Sequence, residues 1–176
     1  SLSADYTGVG RPGQGYTPFL DGLAKKGLYF HNSFANGRRS IDAPPSILAG
    51  LPHLRDETFF CTRMKQLHGI GAVLKERGYD TSFFHGGMNG TMQFDVFSQR
   101  MGFDRYYGLN EYPKREDFDG IWGIYDEPML QFMAQEMSRR KEPFATVLFS
   151  LSTHHPYQIP SQYEGLFAKG ELPIHQ

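Results

Sequence analysis

The chain has 176 residues, 39% hydrophobic and 21% charged, with 18 Lys and Arg against 19 Asp and Glu for a formal net charge of −1. This is the composition of an ordinary soluble globular domain, and it offers no basic field of the kind nucleic acid requires, so no nucleic-acid partner is expected. The single cysteine, Cys61, excludes a disulfide within the chain and reads as a packing residue; no apolar run approaches the ~18–20 residues that cross a bilayer.

Thr17-Pro18 starts the first predicted helix, with Thr as N-cap and Pro at the first helical position. Leu20, Leu23 and Ala24 form its apolar face and Gly27 ends it. The aromatic run Leu28 to Phe34 is strand-like. A short helix is expected from Ala43 to Ala49, stopped by Gly50 and Pro52, and a longer one from Met64 to Arg77 with Gly78 as its terminal glycine.

Asp80 to His85 reads as a strand broken by Gly86-Gly87. A weaker helix is expected over Met92 to Arg100. A stronger one starts at Asp126 and Pro128 and buries Leu130, Met133, Ala134 and Met137. Phe144 to Ser152 is a continuous apolar run, as expected of a parallel strand buried on both faces. Strands alternating with helices predict an α/β fold with a mostly parallel sheet flanked by helices. Chemistry in such sheets collects beyond the carboxyl ends of strands. That singles out the loops around Ser40, His85 and His154.

A serine at a helix N-terminus, beside Arg38 and Arg39, has the surroundings in which a hydroxyl attacks phosphorus or sulfur, provided a metal or base activates it. The competing reading is that Ser40 or Asp42 only caps the helix. His154 and His155 precede a proline, and on extended backbone adjacent side chains point apart, so one of them at most faces a given site. His85, followed by glycines, is placed for close approach to a ligand, or is a hydrogen-bonded histidine in a turn. Asp126 and Glu127 carry oxygens suited to a metal, although capping explains Asp126 as well.

Several segments resemble, in order, the lipoteichoic acid synthase-like sulfatases of the alkaline phosphatase superfamily. They are "TPFLDGLAKKG", "ANGRRSIDAPPSILAGLP", "LKERGYDTSFFHGG", "MGFDRYYG", "WGIYDEPML" and "LSTHHPYQIP". The resemblance implies an alkaline-phosphatase-like domain over residues 1–176 that is incomplete at both ends, an internal piece of a longer chain. It implies Ser40 as nucleophile and metal ligand, with Pro45 at the family's spacing, and His154 as a holder of substrate oxygens. It gives Arg38, Arg39 and His85 to substrate binding.

One divalent ion, Mn2+ or Mg2+, is implied as cofactor. Its other ligands are expected outside the chain: a Glu before Ser1, an Asp-His pair and a further His after Gln176. A serine without such an ion stays protonated and is a poor nucleophile. The family carries an Arg that contacts glycerol phosphate where this chain has Phe94.

The resemblance further implies phosphoryl transfer or hydrolysis on a lipid- or glycan-linked phosphate ester. The domain is expected outside the cytoplasmic membrane of a bacterium, tethered to it by the full-length protein. Two alternatives stand. Sulfate-ester hydrolysis is one, although Ser40 is followed by Asp42 and Pro44 where a Cys/Ser-x-Pro-x-Arg motif needs Pro and Arg. The other is an inactive fragment or degenerate member that binds anionic glycans or lipid headgroups.

Overall fold

The computed structural model describes residues 3–52, 67–166 and 170–171. They fall into two compact units, one formed by Asn36–Ser152 and the other by Ser1–Ala35 with Thr153–Gln176. Among the described residues no helix is long and apolar enough to cross a membrane. Cys61 lies outside the described residues.

The unit Asn36–Ser152 is built on three parallel strands: β1 (Asp80–Phe84), β2 (Arg105–Tyr107) and β3 (Phe144–Leu148), in the order β2-β1-β3. Phe84 lies level with Tyr107 on one side and Leu148 on the other. The sheet is thus parallel and alternates with helices, as the sequence predicts. β1, rather than β3, is the buried strand. Four of its five residues are buried, whereas β3 is half-buried throughout.

Successive strand residues face opposite sides of a sheet, and Phe83 and Phe84 accordingly seed two separate cores. Phe83 packs with Phe94, Phe97, Met101, Phe103 and Leu48. These come from α2 (Ala43–Ala49), from α4 (Phe94–Arg100) and from the turn after α4. Phe84 packs with Tyr107, Leu109, Tyr112, Ile124 and Met129. It stacks flat on Tyr107, with ring centroids 4.3 Å apart. Burying each such ring contributes about 1.5–3 kcal/mol, so the two faces of one dipeptide organise both layers.

The remaining helices are α3 (Ile70–Lys75) and α5 (Asp126–Ser138). α3 begins later than predicted, and residues 64–66 of the predicted helix lie outside the described residues. A Cβ on Gly71 would meet the Met101 carbonyl at 2.7 Å, so the glycine lets helix and turn pack backbone to backbone. Gly78 ends this segment with φ +82, the left-handed conformation glycine favours. Before α4, Met92 and Gln93 take φ +48 and +55, an uncommon pair for residues with side chains.

The predicted face of α5 is rotated by one position. Met129, Phe132 and Met133 meet the core, whereas Leu130 is 45% exposed. Glu136 continues the inward face and accepts a hydrogen bond from the Tyr107 hydroxyl at 3.0 Å.

In the unit containing residues 1–35, α1 (Pro18–Ala24) begins at Thr17-Pro18 as predicted. Its Asp21 carboxylate accepts from Val9 N and the Thr17 hydroxyl, both at 3.1 Å, pinning the preceding loop. Leu20 and Leu23 of α1 are exposed rather than buried. Leu28 to Phe34 does not form the predicted strand: a strand needs a ladder partner, and among the described residues none pairs with this segment.

Candidate active site

Ser40 opens a 3₁₀ turn, Ser40–Asp42, that runs directly into α2. Its side chain is exposed. The capping positions of turn and helix fall on Arg39 and Asp42 rather than on Ser40. The capping alternative for Ser40 is therefore not what the fold uses.

Asp42 works backwards along the chain instead. Its carboxylate, 3% exposed, accepts from the Arg39 backbone N–H at 3.1 Å and from the Arg39 guanidinium at 3.2 Å. The Asp42 N–H returns a bond to the Arg39 carbonyl at 3.0 Å. One turn further, Asn36 donates to the Ser46 hydroxyl, which donates to the Leu51 carbonyl at 3.0 Å. The loop bearing Ser40 is fastened to α2 on both flanks. Arg38 and Arg39 are both exposed.

His85 follows β1 and is 1% exposed. Its ring meets Phe94 and Phe149 edge-on, with centroids at 4.7 and 5.4 Å. Nδ1–H donates to the Phe149 carbonyl at 3.1 Å, which leaves Nε2 as the bare acceptor of a neutral imidazole. Among the described residues Nε2 has no hydrogen-bond partner. Burial lowers the pKa of His85, opposed by the Phe149 carbonyl bond and the Asp126 charge. Ile41, the neighbour of Ser40, packs against the core cluster around Phe83, as Phe149 also does.

His154, in the other unit, is exposed. It starts a turn closed by the Tyr157 N–H on its carbonyl at 2.9 Å, and its Nδ1 donates to the His155 carbonyl at 3.0 Å. The backbone here is a turn, so the alternation expected of extended chain does not apply to His154 and His155. His155 instead meets the Tyr157 ring edge-on at 5.8 Å.

Asp126 is not placed as a metal ligand. Its two carboxylate oxygens accept from Leu151 N at 2.7 Å and Ser152 N at 3.0 Å. Asp119 similarly gathers the N–H groups of Ile121, Trp122 and Gly123 at 2.7–3.0 Å. Among the described residues no group of three or more His, Cys, Asp or Glu side chains is placed to hold a metal ion. Among the described residues, then, the side chains around Ser40 do not by themselves make a site for a divalent ion.

The sulfatase family model matches residues 1–176, the whole chain. The chain belongs to the sulfatase family. A lipoteichoic acid synthase-like protein of Bacillus subtilis, YvgJ, is 23% identical over 150 residues, covering 84% of this chain and 24% of that protein. Phosphoglycerol transferase I of Escherichia coli is 31% identical over 93 residues, 49% of this chain and 12% of its own length. This sulfatase-family chain thus matches about a quarter or less of the curated relatives' length. A solved protein in the alkaline phosphatase superfamily from Vibrio parahaemolyticus superimposes with TM-score 0.83 at 28% identity. The superposition covers 99% of this chain and 44% of that one. The parallel sheet flanked by helices is therefore the alkaline-phosphatase-superfamily fold.

Sequence reading names Asp42 only as a helix cap, the position it holds at the start of α2, and misses its clamp on Arg39 and the Asn36–Ser46 pair. The Arg39-to-Asp42 spacing of three is the available signal, since a side chain three positions into a helical turn reaches back to the cap N–H.

Proposed function

We propose that this sulfatase-family chain takes part in phosphoryl-group transfer from a lipid- or glycan-linked phosphate ester, with Ser40 as nucleophile. The observation that supports this most directly is the exposed Ser40 at the start of a turn clamped by Asp42, within a chain matched end to end by the family. The printed functions of the relatives, lipoteichoic acid synthesis and phosphoglycerol transfer, agree in kind.

In the proposed reaction the Ser40 Oγ forms a bond to phosphorus, the bond from phosphorus to the leaving alkoxide breaks, and the serine proton passes to that leaving oxygen. An acceptor hydroxyl or water then attacks phosphorus and frees Ser40. Arg38 or Arg39 supplies positive charge to the phosphoryl oxygens. His154 holds a substrate oxygen. His85 is 1% exposed with Nε2 shielded from solvent, so no contact with substrate is proposed for it. One divalent ion, Mn2+ or Mg2+, is the proposed cofactor; held by Ser40 together with ligands outside the described residues, it would favour the deprotonated hydroxyl. Phe94 is 2% exposed and presents no cation, so the transferred group is not restricted to phosphoglycerol. The setting proposed is extracytoplasmic, in a protein tethered to the membrane.

The test is the full-length protein with phosphatidylglycerol vesicles and Mn2+, assayed for release of diacylglycerol and for the glycerophosphoryl adduct on Ser40 by tandem mass spectrometry. Ser40→Ala is expected to abolish both while leaving the unfolding transition in place. Turnover that survives Ser40→Ala would refute the assignment. Turnover of an aryl sulfate but of no phosphate ester would favour the sulfate-ester reading. Binding of vesicles without turnover would favour a binding-only role.

A further inference from the structure

The two arginines beside Ser40 differ in their surroundings. Arg39 is tied at both backbone and side chain to one carboxylate, that of Asp42, whose side chain is 2% exposed while that of Arg39 is 54% exposed. A buried carboxylate is retained at such cost only when it is paired and hydrogen-bonded. Here both its oxygens accept from the residue that immediately precedes Ser40. Gly37 completes the arrangement: a Cβ there would stand 2.4 Å from the Asp42 Cβ, so the loop crosses over the carboxylate with no room for a side chain.

We propose that Asp42 is a positioning residue for Ser40, fixing through Arg39 the backbone from which the Ser40 hydroxyl projects, and that Arg39 serves this clamp while Arg38 is the arginine that meets substrate. The inference rests on Ser40 being the nucleophile. The Arg39 N–H bond sets the extended conformation of Arg39, φ −112 and ψ 146, and so the direction in which the chain enters the 3₁₀ turn. Nucleophilic attack tolerates little error in direction: a displacement of about 1 Å costs on the order of a hundredfold in rate. Asp42 itself is buried beneath the loop and does not reach the reacting phosphorus in this scheme.

The experiment compares Asp42→Asn, Arg39→Lys, Arg38→Lys and Ser40→Ala in the full-length protein, using phosphatidylglycerol vesicles with Mn2+ as the probe. Asp42→Asn keeps size and shape but accepts one bond in place of two. It is expected to lower kcat about tenfold to a hundredfold with KM changed by less than about threefold, the pattern of a misdirected nucleophile. Arg39→Lys should lower kcat in the same way, and Arg38→Lys should raise KM. Circular-dichroism melts report the folded fraction of each variant.

If Asp42→Asn retains wild-type kcat while Ser40→Ala is inactive, the positioning role is overturned and the functional reading survives. If activity falls only in proportion to the folded fraction, the positioning role is likewise overturned. A Ser40→Ala protein that still turns over overturns the functional reading and this inference with it.

Discussion

Asp126 and Ser152 cap each other. The Asp126 N–H donates to the Ser152 hydroxyl at 2.8 Å, and the Asp126 carboxylate accepts from Ser152 N at 3.0 Å and from Leu151 N at 2.7 Å. The first residue of α5 and the chain leaving β3 are thereby joined at the carboxyl end of the sheet. This junction fixes the rotation of α5 about its axis, and hence which of its residues reach Phe84.

Asp126→Ala removes the acceptor for two backbone N–H groups. Hydrogen bonds to charged groups contribute about 1.5–3 kcal/mol each, and unpaired N–H groups add a desolvation cost. The variant is expected to lose about 3 kcal/mol or more of unfolding free energy in urea titration. A loss below about 1 kcal/mol would show that water replaces the carboxylate at no cost.

This junction explains what the sequence could and could not disclose. Apolar periodicity in α5 correctly located the helix, but Leu130 and Met129 are both apolar, and periodicity alone does not choose between adjacent stripes. The choice comes from the contact between Asp126 and residues 151–152, about 25 positions away in the chain, which no local pattern contains. The same holds near Ser40: the segment and its hydroxyl stand out in the sequence, but the burial of Asp42 does not. Leu28 to Phe34 misleads in the opposite direction, since strand propensity describes a surface suited to pairing and cannot supply the partner. The parallel sheet was legible because Asp80 to His85 and the apolar run Phe144 to Ser152 each follow a predicted helix.

His85 makes stability depend on pH. Burial holds its folded pKa below the ordinary 6.5, so in acid the unfolded chain binds a proton that the folded chain refuses. The contribution is fully present above about 6.5 and is lost as pH falls from there toward the folded value, at up to about 1.4 kcal/mol per pH unit. Unfolding free energies at pH 7.5, 6.5 and 5.5 should fall more steeply for the wild type than for His85→Gln. Parallel profiles would show that His85 is not the group responsible.

Phe83 is fully buried and its ring lies within 6.4 Å, centroid to centroid, of Phe94, Phe97, Phe103 and Tyr106. Phe83→Ala is expected to cost about 3–5 kcal/mol and Phe83→Leu distinctly less, the difference reflecting the cavity left behind. Denaturant midpoints of the two variants provide the check.

Gly102 joins α4 to the strand that follows. It has φ +86, and a Cβ there would lie 2.4 Å from the Ala72 backbone nitrogen. Gly102→Ala therefore combines backbone strain with a collision against α3, and a loss of about 2 kcal/mol or more is expected in thermal or urea unfolding. Gly78→Ala, where no atom lies within 4 Å, carries the strain alone and should cost less.

Met92 and Gln93 have a consequence for engineering. Each holds a left-handed conformation that costs an L-residue roughly 1–2 kcal/mol and costs glycine almost nothing. The bend they form turns the chain into α4 and delivers Phe94 to the ring of His85. Stability is thus forgone at this corner, and replacing Gln93 with glycine is the simplest route to recovering some of it without altering an aromatic contact.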